Sequence, residues 1–187
     1  MPAALIGVSL VGGAVASLQP GRDGPETPRQ PGDLQALVKK DHANIRETVA
    51  DLYAVISGPA GPRDWDAFRA LFAEGGRLAA MAPTREGGTR PVQMTPEEYI
   101  ERSGPFMQTR GFFETELARE IEVYGSIAHV FSSYETRFEA EGEVFQRGIN
   151  SISLVRTGEG EWKVYQILWQ GETDDNPLPE QFEKRGR

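Results

Sequence analysis

The side chains of this chain that can move a proton or hold a carbonyl group lie mostly in its second half. His129 and Glu135 sit in one β-patterned segment, and Arg147 and Asn150 in the next. Imidazole titrates near neutral pH, so His129 is the first candidate for a general base, with Glu135 as a second. An Arg and an Asn converging in an apolar site would bind a carboxylate or a carbonyl. The two are of opposite parity in a regular strand, so they share a face only if Gly148 makes a bulge. His42, the other histidine, lies among Lys39, Lys40, Asp41 and Asn44 and reads as solvated surface. The chain has no cysteine, which excludes thiol catalysis, a disulfide framework and a cysteine-rich zinc site. No metal is expected. Nor is a cofactor: there is no phosphate-binding glycine loop, no dinucleotide glycine triplet, no nucleophile elbow and no HExxH motif.

Charge narrows the partners. Lys and Arg number 20 against 28 Asp and Glu, a net charge of −8, which is not the basic footprint of a nucleic-acid-binding domain. Eight acids and two bases fall within residues 114–143. The reading favoured for them is an exposed face whose charge discourages edge-to-edge sheet pairing.

These residues need elements to place them. The first charge is Arg22, and before it runs an apolar stretch from Ala3 to Ala16. It is too short to span a membrane and has the form of a secretory leader, with Ala14-Val15-Ala16 as a cleavage motif. Residues 1–19 are therefore read as a signal peptide or an apolar leader, and the protein as exported (periplasmic or extracellular) if the segment is a signal peptide and cytoplasmic otherwise. Seven of the thirteen residues 20–32 are Gly or Pro, a linker composition. The folded unit is expected over 33–172, with a loose polar tail over 173–187.

Within it, Leu34, Leu37, Val38, Ile45, Val49, Leu52 and Ile56 keep one helical face, and Ser57 to Pro62 ends that helix. A second helix starts at Asp64 and ends at Gly75-Gly76. Leu78 to Met81 reads as a short strand, Thr84 to Arg90 as a loop. Thr95-Pro96-Glu97-Glu98 is a capping box opening a third helix, which Gly104-Pro105 should distort or end. From Gly111 the period becomes two. Gly125-Ser126 is a hairpin turn, and the later turns fall at Glu141 to Glu143 and Thr157 to Gly160. The sum is an α+β layout with helices on one face of a curved, mostly antiparallel sheet.

That order resembles the nuclear transport factor 2-like superfamily, in its polyketide-cyclase-like branch. The residues that carry the likeness are Tyr53, Asp64 to Phe68, Leu71 to Ala73, Ile127 to Phe131, Arg147 to Ile152 and Trp162 to Trp169, over roughly residues 34–171. The resemblance implies a cone with the N-terminal helices packed on its concave face, a small-molecule pocket and a homodimer through the sheet. Members of the superfamily range from isomerases, dehydratases, cyclases and epoxide hydrolases to pure binding proteins, because the fold does not fix the chemistry. Steroid-isomerase-like members keep a carboxylate at the end of the first strand; Gly76 to Arg85 here contains none. The expected ligand is small and apolar, and Tyr53, Trp65, His129, Arg147, Asn150 and Trp169 are the candidate ligand-binding residues. The alternatives are a cofactor-independent lyase, isomerase or hydrolase acting on a cyclic apolar compound, and a dimeric interaction module with a filled core.

Overall fold

Ile45, Val49, Leu52, Tyr53 and Ile56 fall three or four residues apart, or side by side on one face, and all are buried. They form the inner stripe of helix α1 (Pro31–Ile56). The computed structural model describes residues 31–158 and 160–183. The leader over 1–19 and the linker up to residue 30 lie outside the described residues, while the last two linker positions, Pro31 and Gly32, open α1.

The end of α1 is held by Arg63, a residue not singled out in the sequence. Its guanidinium donates to the carbonyls of Ile56 (2.9 Å), Gly58 (2.8 Å) and Pro59 (2.9 Å). A cation here meets carbonyls at the C-terminal end of the helix, of which that of Gly58 also accepts from the Phe112 N–H at 2.9 Å. Asp64 then caps α2 (Trp65–Ala70) by accepting from the Ala67 N–H at 2.9 Å.

Two differences from the sequence expectation follow. The second helix is short, and Gly75-Gly76 does not end it. These glycines lie inside strand β1 (Phe72–Pro83), where pairing with the last strand shifts register between Phe72 and Arg77. Gly75 adopts a φ of 77°, a conformation glycine takes without cost. Most of the expected loop from Thr84 to Arg90 is a hairpin connection, and its last residues begin β2 (Thr89–Met94). β2 pairs only with β1 and carries Pro91, which an edge strand tolerates.

The capping box forms as the sequence indicates. Glu98 N–H donates to Thr95 Oγ1 at 3.1 Å, and Thr95 N–H donates to Glu98 Oε2 at 2.7 Å. Helix α3 (Pro96–Thr109) nevertheless runs through Pro105. Gly104 is buried with the Trp65 ring beside it, and Met107 is buried in the core. Packing on both sides of the proline offsets its lost hydrogen bond.

Strands β3 (Phe113–Tyr124), β4 (Ile127–Arg137), β5 (Val144–Arg156) and β6 (Trp162–Gly171) form a meander. Gly125, at φ 58°, leads the turn between β3 and β4. The sheet order is β2-β1-β6-β5-β4-β3, with β1 and β6 its parallel neighbours. The fold is the expected α+β one, a curved and mostly antiparallel sheet with helices on its inner face. The core lies between α1 and the sheet, around Val130, Ile152, Leu154 and Val164.

The expected bulge at Gly148 does not occur. β4 and β5 stay in register from Ile127↔Val155 to Thr136↔Gln146. Gly148 is a glycine because a Cβ there would meet the Gln170 carbonyl and lie 2.6 Å from Tyr134 Oη. The bulge sits instead in β3, at Leu117, between the pairs Glu116↔Tyr134 and Ala118↔Ser133.

The tail is a second correction. Residues 172–183 fold back over the outer face of the sheet. Leu178 and Phe182 are buried, Phe182 meets Phe131 edge-on at 5.4 Å, and Ser133 Oγ donates to the Phe182 carbonyl at 2.7 Å. Two apolar anchors among polar residues suffice to dock a segment of this length. Among the described residues no helix is long and apolar enough to cross a membrane.

Candidate functional site

Between α1, α3 and the inner face of the sheet lies a cavity of about 340 Å³, a size typical of small-molecule sites. Its walls are largely apolar, with Leu52, Ile56, Phe68, Leu78, Met107, Phe112 and Ile167 among them. Polar groups enter from five elements: Tyr53 from α1, Tyr99 and Ser103 from α3, Glu114 from β3, Tyr134 from β4 and Asn150 from β5.

The polar groups form an ordered chain. Asn150 Nδ2 donates to Tyr53 Oη at 3.0 Å. Ser132 Oγ donates to Glu116 Oε1 at 2.5 Å. A hydroxyl has one hydrogen, so Tyr53 must donate to Ser132 across their 2.8 Å contact. Glu116 in turn pairs with Arg119. Burial pushes the Glu116 carboxyl up, and the Ser132 hydroxyl and the Arg119 charge oppose the shift.

Glu114 occupies the cavity wall. Ser57 fixes its backbone to the end of α1, with the Ser57 hydroxyl donating to Glu114 O (3.1 Å) and the Glu114 N–H donating to Ser57 Oγ (3.0 Å). Burial pushes the Glu114 carboxyl up to about 7, against hydrogen bonds from Asn150 and Thr136 that favour its charged form. The phenols of Tyr53, Tyr99 and Tyr134 are raised as well, first by burial and then by the Glu114 charge. Tyr134 is 3% exposed and lines the cavity. Tyr53 and Tyr99 share hydrogen bonds with Ser132 and Ser103. Among the described residues the Tyr134 hydroxyl has no such partner, so its donor is free for a ligand.

The sequence candidates divide. Tyr53, Asn150 and Trp169 line the cavity. Trp65 packs between α2 and α3, edge-on to Phe68 at 5.7 Å and beside Gly104. His129 and Glu135 face away from the cavity, on the outer side of β4. His129 Nε2 shares a 2.9 Å hydrogen bond with Ser151 Oγ, and Glu135 accepts from Arg137 at 2.6 Å. Arg147 lies on the outer side of β5 and makes a two-pronged pair with Glu172 at 2.7 and 2.9 Å. Arg147 and Asn150 therefore do not converge, because the regular register keeps their opposite parity. Sequence reasoning missed Glu114, Tyr99 and Tyr134. The alternation of β3 put Glu114 and Glu116 on the solvent side; the bulge at Leu117 turns both inward, onto the face that carries Ile121 and Val123 further along. Among the described residues no group of three or more His, Asp or Glu side chains is placed to hold a metal.

No protein-family model matches this sequence, and no curated protein matches it. Solved structures do match. An NTF2-like protein with a cystatin-like fold from Novosphingobium aromaticivorans superposes with a TM-score of 0.58 at 16% identity, covering 80% of this chain and 96% of that one. A candidate scytalone dehydratase from the same organism gives 0.57 at 15%, covering 82% and 98%. A candidate dehydratase of the NTF2-like family from Streptomyces avermitilis gives 0.51 at 13%, covering 72% and 97%. Identities this low speak to architecture alone, and on architecture they agree: this chain has the nuclear transport factor 2-like fold.

Proposed function

We propose that the cone binds a small, largely apolar ring compound carrying a carbonyl, and that Glu114 moves a proton on it without a cofactor. One arrangement carries the reading: a half-buried carboxyl pushed up to about 7, beside an unspent phenol, on the wall of a ring-sized cavity. A general base is most effective when its pKa lies near the working pH. As a carboxylate, Glu114 takes a proton from the carbon next to the carbonyl. The Tyr134 hydroxyl donates to the carbonyl oxygen as negative charge builds there. Glu114 then returns the proton, either to another carbon, which isomerises the compound, or to a departing hydroxyl, which leaves as water.

The test needs no knowledge of the natural substrate. Exchange of the α-hydrogens of 2-tetralone for deuterium, followed by NMR, reports proton abstraction directly. Wild-type protein is expected to accelerate exchange, and Glu114→Gln to remove the acceleration, about 10²-fold or more. Tyr134→Phe is expected to lower it by about 10²-fold with no loss of thermal stability, since that hydroxyl has no protein partner. Exchange in Glu114→Gln at the wild-type rate overturns the catalytic reading. A ketone that raises the melting temperature but does not exchange makes the cone a binding protein.

A further inference from the structure

We propose that Arg102 at the cavity mouth receives a carboxylate of the ligand, so that the compounds this cone takes are ring acids. The inference rests on the pocket reading above and adds to it the ligand's charge and orientation.

Helix α3 presents Tyr99, Arg102, Ser103, Phe106 and Met107 to the cavity, at spacings that make a single helical face. Met107 is buried, while Arg102 and Phe106 are exposed. On the opposite wall Asn150 is buried and Gln146 exposed. The exposed lining residues mark the mouth, and they place Arg102 and Gln146 on its rim. Arg102 is the cation that lines this cavity.

An exposed arginine on a helix ordinarily pairs with an acid one turn away. For Arg102 that acid is Glu98, which is committed elsewhere: its carboxylate accepts from the Thr95 N–H at 2.7 Å in the capping box. Arg102 influences Glu98 only through its charge. Among the described residues neither Arg102 nor Gln146 has a hydrogen-bond partner for its side chain. The rim therefore holds unspent donors at one end of an apolar cavity.

The other end is different. Glu114 is held by burial and by hydrogen bonds from Asn150 and Thr136, without help from Arg102. A ligand anion placed there would lie beside the Glu114 carboxyl, with no cation lining that end of the cavity. Among the residues that line the cavity only Arg102 at the mouth is a cation, Arg63 being spent on backbone carbonyls behind the wall, and the planar guanidinium fork fits a carboxylate. The ligand thus enters with its carbonyl end toward Glu114 and Tyr134 and its carboxylate toward solvent.

A matched pair of probes separates this inference from the pocket reading: naphthalene-2-carboxylate and its near-isosteric neutral carboxamide, titrated calorimetrically into wild-type protein, Arg102→Gln and Arg102→Lys. Wild type is expected to bind the carboxylate about tenfold more tightly than the amide. Arg102→Gln should abolish the preference by weakening the carboxylate alone, and Arg102→Lys should retain part of it. Equal binding of both probes by wild type, or a preference that survives in Arg102→Gln, overturns the role of Arg102 and leaves the pocket intact. Failure of both probes to bind overturns the pocket reading and this inference with it.

Discussion

Glu114 stabilises the fold less when it is charged, and the sign can be worked out. Its ordinary value is 4.5, and in the folded protein it is pushed up to about 7. Between those values the folded state holds more protons than the unfolded one, so stability falls as pH rises. The contribution is most favourable below about pH 4.5, declines through pH 7 and is fully lost above it, a swing on the order of 3 kcal/mol. Glu114→Gln should therefore melt at a higher temperature than wild type at pH 8 and close to wild type at pH 5. Thermal melts at the two values decide it, and an equal difference at both contradicts the buried-acid description. This residue was illegible in the sequence for a definite reason. Apolar positions 113, 117, 121 and 123 are all odd, and a regular strand would put them on one face with the glutamates opposite. One inserted residue at Leu117 breaks that parity, and nothing in the local composition marks the insertion. Tyr53 and Asn150, by contrast, lie on regular stretches of α1 and β5 and were found.

The elements that could be read were those with chemistry at their ends. Thr95-Pro96-Glu97-Glu98 specified a capping box, and Gly125-Ser126 specified a hairpin; both formed. β2 could not be read, because an edge strand is polar and tolerates Pro91. The length of β1 was hidden by glycines that served a register shift instead of a helix end. The C-terminal segment was misread because Leu178 and Phe182 are isolated in polar sequence, and isolated apolar residues carry no period. That segment makes an element-scale prediction. Phe182 is 3% exposed, and truncating a buried phenylalanine costs roughly 3–5 kcal/mol. For a domain of this size, Phe182→Ala should lower the melting temperature by about 10 °C. A smaller loss is expected for Arg147→Ala, which releases the partly exposed pair with Glu172. A melt of Phe182→Ala within a degree or two of wild type would show that the segment is not docked in solution.

At the scale of the whole molecule the cone was legible because it depends on order and period, not on any one side chain. The α1 stripe, the capped third helix and four period-two segments leave few ways to bury the apolar faces. Association is proposed at this same scale: two copies pairing through the outer face of the sheet. Beside the docked C-terminal segment that face carries Ile127, His129, Ser151 and Leu168, a mixed polar and apolar surface, and Ile127 is exposed. Sedimentation velocity should give a dimer for the full chain and a monomer for Ile127→Glu. A monomer for the full chain at micromolar concentration would refute the proposal.

The strand order has a consequence in time. β1 comes early in the chain, yet apart from its short partner β2 its neighbour in the sheet is β6, the last strand. On the ribosome β1 and β2 emerge with no sheet to join, and α1 has no inner face to cover until the meander is complete. Pairings between distant segments form late and slowly. The cone is thus an all-or-nothing product of nearly the full chain, and an interrupted translation product ending before β6 exposes the apolar stripe of α1 to whatever quality-control machinery recognises unburied surface.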